Sequence, residues 1–238
     1  MNLKYLAYPL IALAIGTTVT TPALADRDRE IEKVQESIQV YKEMLADPDT
    51  RIPTSLIQAS EGIAIIPNVV QGGFIVGGRR GTGVFVRRLP DGSWSNPAFL
   101  SITGGSFGLQ FGGNSSDIVL LFVNQQAVNE LMEGDLEFGV NVSGTAGPVG
   151  ASAIDPTEVG GGVLSYSRSA GLFGGVAVEG GELNFNDDRN EDYYDDPTII
   201  PQEIVNNSSL NSPPITQKLW RVLLDSERQE IAPFRTNK

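Results

Sequence analysis

Between residues 26 and 46, apolar side chains recur at Ile31, Val34, Ile38, Tyr41 and Leu45. Steps of three and four place them on one stripe of an α-helix, with charges of both signs on the remaining surface. Asp47-Pro48 ends the pattern, because proline disfavours helical backbone at the residue before it. A short second helix is predicted to start near Pro53 and run over 55–60, closed by Gly62. The period then changes. From Ile63 to Phe185 the chain breaks into short runs such as "IAIIP", "GVFVRRL", "PAFLSITGG", "DIVLLFV", "LEFGVNV" and "GGVLSYSR". Val, Ile, Phe and Tyr dominate them and turn residues bound them, which is the strand pattern. Asp91-Gly92 is a hairpin-turn signal, and Asn124 is placed to cap a short helix reaching Met132.

Helices and strands do not alternate regularly, so the sheet is expected to be mostly antiparallel. Paired glycines recur at strand ends and inside strands, from Gly72-Gly73 to Gly180-Gly181. Glycine inside a strand marks a bulge, a bend or close backbone approach. The fold class that follows is mainly β within α+β: a curved, glycine-rich, mostly antiparallel sheet forming a sandwich or barrel, with N-terminal and C-terminal helices. After Phe185, "NDDRNEDYYDDP" is acidic and "NNSSLNSPP" is polar, so 186–215 is expected as loop or linker. Residues 216–231 are helical again, with Leu219, Trp220, Leu223 and Leu224 on the apolar side.

Composition narrows the function. Lys4, an apolar stretch to Ile15 and Ala23-Leu24-Ala25 form the pattern of a cleaved export signal over 1–25. With no cysteine, export requires no disulfides, which fits a bacterial periplasm. A net charge of -12 disfavours nucleic acid, whose phosphates repel such a chain. The absence of histidine as well as cysteine removes Ser-His-Asp and Cys-His catalysis and most zinc sites.

The motif-like stretches resolve to bland readings. "GGSFG" at 104–108 matches G-x-S-x-G, but a nucleophile elbow needs a helix after it and a histidine base. "GGRRGTG" precedes strand-like residues, whereas a phosphate loop must open a helix. The acidic run 187–196 lacks the glycine and terminal glutamate of a calcium loop. Glu179 and Glu182, as a carboxylate pair, would face opposite sides of an extended strand. No enzyme activity, cofactor or metal is expected.

The arginines are different. Arg79, Arg80, Arg87 and Arg88 fall within ten residues of an acidic chain. With 77–83 read as a turn, Arg79 and Arg80 sit at its tip, and Arg87 and Arg88 point to opposite faces of the following strand. Two readings compete: an anion dock built from guanidinium forks and glycine amides, or a charged hairpin that blocks edge-to-edge aggregation.

Three blocks carry a resemblance: "GIAIIPNVVQGGFIVGGRRGTGVFVRR", "DGSWSNPAFLSITGGSFGLQFGGNSSDIVLLF" and "YSRSAGLFGGVAVEGGELN". In that order they resemble the SYLF domain over roughly residues 50–196. The matching residues include Trp94, Gly104, Gly105, Tyr166, Arg168 and Gly171. Asn190, Tyr193 and Tyr194 match the family's late N..YYG pattern, with Asp195 in place of its glycine. The resemblance implies a lipid-binding domain, with actin binding in some eukaryotic members. Their basic amphipathic N-terminal segment has no counterpart here, because 26–46 holds six acids and four bases. An exported bacterial protein does not meet actin.

The expectation is therefore an exported, non-enzymatic domain of the periplasm or envelope. It docks peripherally on anionic phospholipid through the 79–88 arginines. Phe74, Phe85, Phe99, Phe107 and Phe111 are candidates for apolar insertion or simply for core. The alternative is a periplasmic structural or protein-interaction module. The expected division is a leader at 1–25, the domain at 26–196, a linker at 197–215, and a C-terminal helix and tail at 216–238.

Overall fold

The computed structural model describes residues 22–46, 51–73, 76–107, 114–134, 136–138, 144–146, 162–169, 172–175 and 180–228. Of the leader expected over 1–25, only 22–25 are described. They open α1 (Pro22–Ala46), a helix that buries Val34, Ile38 and Tyr41 of the expected stripe together with Val40 and Met44, while Ile31 and Leu45 pack partly buried against the core. After α2 (Thr54–Gln58) come β1 (Gly62–Gly73), β2 (Val76–Arg87), β3 (Ala98–Phe107) and β4 (Asn114–Phe122). Then follow α3 (Gln125–Glu133), β5 (Gly144–Ala146), β6 (Val163–Ser169), β7 (Leu172–Gly175) and β8 (Gly181–Phe185). The chain ends in α4 (Asp187–Tyr194), α5 (Pro201–Val205) and α6 (Ile215–Arg228).

Six strands run antiparallel to their neighbours in the order β6-β4-β1-β2-β3-β8. On the outer side of β6, β5 pairs parallel and β7 antiparallel. The sandwich or barrel of the sequence reading is realised as one curled sheet that is not closed among the described residues. Its curl follows from chain length. Leu136 and Phe138 hydrogen-bond across to β8, and β5, six residues on, lies against β6 at the other end. Six extended residues reach at most ~21 Å. The same two positions in a flat sheet, seven strand spacings apart, would be ~34 Å from each other.

Paired residues share a face, and faces alternate along each strand. Phe85, Phe122 and Phe185 share the inner face, where Phe85 meets the other two rings edge-on at 5.2 and 6.1 Å. Val84, Val86, Phe99 and Val119 point to the outer face, beneath α1 and α4, with α6 packed against α1 and α2. β1 contains a bulge. Its register against β2 shifts between Ile65 and Val70, and Asn68 has φ 53°. The extra residue inverts the alternation, so Val69 is buried while Val70 is 55% exposed.

Two expectations are corrected. The tip of the β1–β2 hairpin is not at 77–83: those residues lie inside β2, and the connection is Phe74-Ile75, outside the described residues. The glycines that read as turn residues serve the sheet. A Cβ on Gly83 would stand 2.0 Å from the Ile65 carbonyl oxygen, and one on Gly81 2.7 Å from Val69.

The stretch 186–215, expected as loop or linker, contains α4 and α5 and buries Tyr193, Tyr194, Ile199, Ile204 and Val205. Asn186 caps α4 by accepting from the Arg189 amide, and Asp187 and Asp188 fall in the first turn, where the helix dipole favours them. Of the acids that suggested a solvated loop, Asp187 and Asp188 belong to a helix start. The helix expected at the C-terminus, α6, packs into the fold, with Leu219 and Leu223 fully buried in the common core.

Candidate functional site

The four arginines do not converge. Arg79 and Arg80, adjacent in β2, point to opposite faces, and Arg87 and Arg88 lie eight positions on, ~26 Å along the strand. Arg88 is consumed by the fold. Its guanidinium stacks 4.2 Å from the Trp94 ring centroid, donates to the carbonyls of Ser60 and Ile57, and pairs with Glu227 at 3.2 Å. Arg87 donates to Asn206 Oδ1 at 2.5 Å, joining β2 to the end of α5. Arg80 stands in a fully exposed outer row with Val70 and Thr103, continued by Ser115 and Glu182.

Of these four, and among the described residues, Arg79 keeps an unused cation in a partly dry place. It sits on the inner face, opposite Gln71 of β1 and Gly104 of β3, with Gly181 next in the row. The residue is half-buried, its Nη1 is buried, and that nitrogen has no hydrogen-bond partner among the described residues. Burial holds the guanidinium below its ordinary pKa. Gly104 and Gly181 bring no side chain to the row, and the Gly180-Gly181 backbone packs against Gly104. Gly104 must be glycine, because a Cβ there would meet the Gly180 carbonyl oxygen at 2.5 Å. Sequence reasoning singled out Arg79 but missed Gln71. Only the strand register brings the two together.

The residues of the family pattern hold the outer layer to the sheet. Trp94 Nε1 donates to Glu227 at 2.7 Å, so α6 is clasped by the same carboxylate that pairs Arg88. Arg168 bridges Asp117 and Glu43, tying β6 and β4 to α1. Asn190 Oδ1 accepts from the Phe99 amide at 2.7 Å. Tyr193 shares a hydrogen bond with Thr216, and Tyr194 donates to the Pro97 carbonyl at 2.8 Å. Tyr166 is buried on β6, and burial raises its hydroxyl well above the ordinary range. Gly105 is exposed with open space beside it, and Gly171 lies outside the described residues.

Two further features bound what the surface can bind. A groove of about 380 Å³ between α1 and the β1 bulge is lined by Glu32, Glu36, Glu43, Asp117 and Arg168, an acidic surface that repels anions. Of the phenylalanines proposed for membrane insertion, Phe85 and Phe99 are core. Phe74 and Phe111 lie outside the described residues, as does the side chain of Phe107. Among the described residues, no cluster of three carboxylates is arranged to hold a metal, and no helix is long and apolar enough to cross a membrane.

Residues 103–226 match the family described as Las17-binding protein actin regulator, Ysc84. The chain is 36% identical over 180 residues to LAS seventeen-binding protein 3 of Saccharomyces cerevisiae, a match covering 74% of this chain and 39% of that protein. It is 32% identical over 181 residues to SH3 domain-containing YSC84-like protein 1 of Homo sapiens, covering 74% and 53%. The Xenopus laevis counterpart is 32% identical over 189 residues, covering 77% and 56%. The chain thus spans between 39% and 56% of the length of these relatives. With the family match running from β3 into α6 and the residues of the sequence resemblance acting as its internal clasps, the chain belongs to the Ysc84 family of SYLF-type domains.

Proposed function

We propose that this chain is a non-enzymatic binding domain that docks peripherally on anionic phospholipid, with Arg79 as its headgroup contact. The observation that carries the reading is the half-buried Arg79 guanidinium, whose buried Nη1 has no partner among the described residues. A desolvated cation without a counter-charge is costly in itself, and an anion at that position offsets the cost. The surrounding chain has net charge -12, so attraction must be local rather than global. With 1–25 read as an export signal, the proposed setting is the periplasm or envelope, where phosphatidylglycerol and cardiolipin supply such headgroups.

The test is vesicle co-sedimentation of residues 22–238, which contain all the described structure and omit most of the apolar leader. Arg79→Ala is expected to weaken binding to phosphatidylglycerol vesicles about tenfold, and Arg80→Ala much less, at unchanged thermal stability. Equal effects of the two substitutions, or none, would remove Arg79 from the role. A second reading has support in the relatives named as Las17-binding proteins: a protein-interaction module. It predicts no vesicle binding at any salt concentration and a crosslinkable protein partner.

A further inference from the structure

Resting on the anionic-ligand reading above, we propose that the Arg79 site selects monoanionic phosphodiester groups and rejects phosphate monoesters. The inner face around Arg79 carries few charges among the described residues. Arg79 faces Gln71 on β1 and Gly104 and then Gly181 across β3 and β8. None of these titrates. The neighbouring cation, Arg80, points to the other face beside Val70 and Thr103, with Glu182 beyond. Arg87 and Arg88 are at the far end of β2 and already hydrogen-bonded. Among the described residues, one positive charge is therefore available, together with one neutral amide.

A phosphodiester matches that inventory. It carries one charge over two non-bridging oxygens, the geometry a guanidinium fork grips with two parallel hydrogen bonds. The amide of Gln71 adds a donor without adding charge. A monoester above its second ionisation near pH ~6 carries a further negative charge. That charge would lie in a partly dry site with no further free cation among the described residues to meet it, in a protein of net charge -12. The chemistry is common to a diester headgroup and to a soluble diester, so the experiment separates these sources.

Residues 22–238 are sedimented with vesicles containing either phosphatidylglycerol, a diester, or phosphatidic acid, a monoester, at matched surface potential. At pH 7.5 the diester vesicles are expected to bind about tenfold more tightly. At pH 5, where the monoester has lost its second charge, the gap should close. Gln71→Leu should lower diester affinity severalfold while thermal stability is kept. In parallel, dimethyl phosphate and methyl phosphate are titrated while the Arg79 side-chain Nε resonance is followed by NMR. Preference for the diester in both arms supports the proposal.

Arg79-dependent vesicle binding with equal or greater affinity for phosphatidic acid at pH 7.5 overturns the selectivity and leaves lipid docking standing. A shift with dimethyl phosphate but no vesicle binding keeps the selectivity, assigns it to a soluble diester and removes the lipid reading. Silence in both arms removes both.

Discussion

Asp195 and Asn68 are the non-glycine residues with positive φ among those described, at 54° and 53°. Asp195 closes α4 in the left-handed conformation, where the family pattern has glycine. The tight turn is kept, at the cost of placing a side chain where backbone sterics disfavour one. Asp195→Gly is expected to stabilise the fold by about 0.5 kcal/mol, since aspartate tolerates this region better than most residues, raising Tm by roughly 1–2 °C. A lower Tm in a calorimetric scan would mean that the aspartate contributes something its backbone does not reveal.

At this scale the sequence showed where the arginines cluster but not what each one contacts. Four cations in ten residues were visible. That Arg88 is spent on Trp94 and Glu227 depends on a carboxylate more than 130 residues away, which no local pattern announces.

Elements were legible where one physical cause dominated. The α1 stripe, the Asn124 cap and the Asp91-Gly92 turn all appear where spacing and turn chemistry put them. Asn124 Oδ1 accepts from the Ala127 amide, and Gly92 has φ 82°. The β1–β2 hairpin was misplaced because glycine has two uses, turning a chain and letting strands approach, and both look alike in sequence.

The structure separates them. Gly83 is fixed by the Ile65 backbone, whereas a Cβ on Gly78 would meet nothing within 4 Å. Gly83→Ala should therefore cost about 3 kcal/mol or more, and Gly78→Ala should be neutral or gain a few tenths from a less flexible unfolded chain. Chemical denaturation of the two variants decides this, and similar losses in both would refute the distinction. The acidic run at 187–196 misled for a related reason. Charge density marks solvation, but at a capped helix start it also marks the dipole's positive end.

Across the whole molecule the outer helices are held by ion pairs that join distant parts of the chain. Glu30 of α1, only 1% exposed, receives both Arg189 contacts at 2.8 and 2.7 Å. Burial outweighs this pairing and holds the Glu30 carboxyl above its ordinary value of 4.5. A carboxyl raised on folding favours the folded state in its protonated form. Its contribution is full below pH ~4.5 and is lost as pH rises through the folded value. Against Glu30→Gln, which cannot titrate, the wild type should thus gain relative stability as pH is lowered from 7 to 4. Parallel pH profiles in urea melts would rule this out. The role of α6 was hidden for a similar reason. Its apolar side was readable, but a stripe does not name its partner, and the polar stretch before it gave no sign that Ile199, Ile204 and Val205 bury themselves on the way.

The stretch from Leu136 to Ala146, which touches β8 at one end and β6 at the other, bears on how the protein behaves in a crowded solution. Open sheets recruit strands from other molecules at their unpaired margins. Here a single piece of chain occupies part of both margins. Loosening it would expose two adhesive borders in one event, so the route to polymerisation and the defence against it run through the same eleven residues.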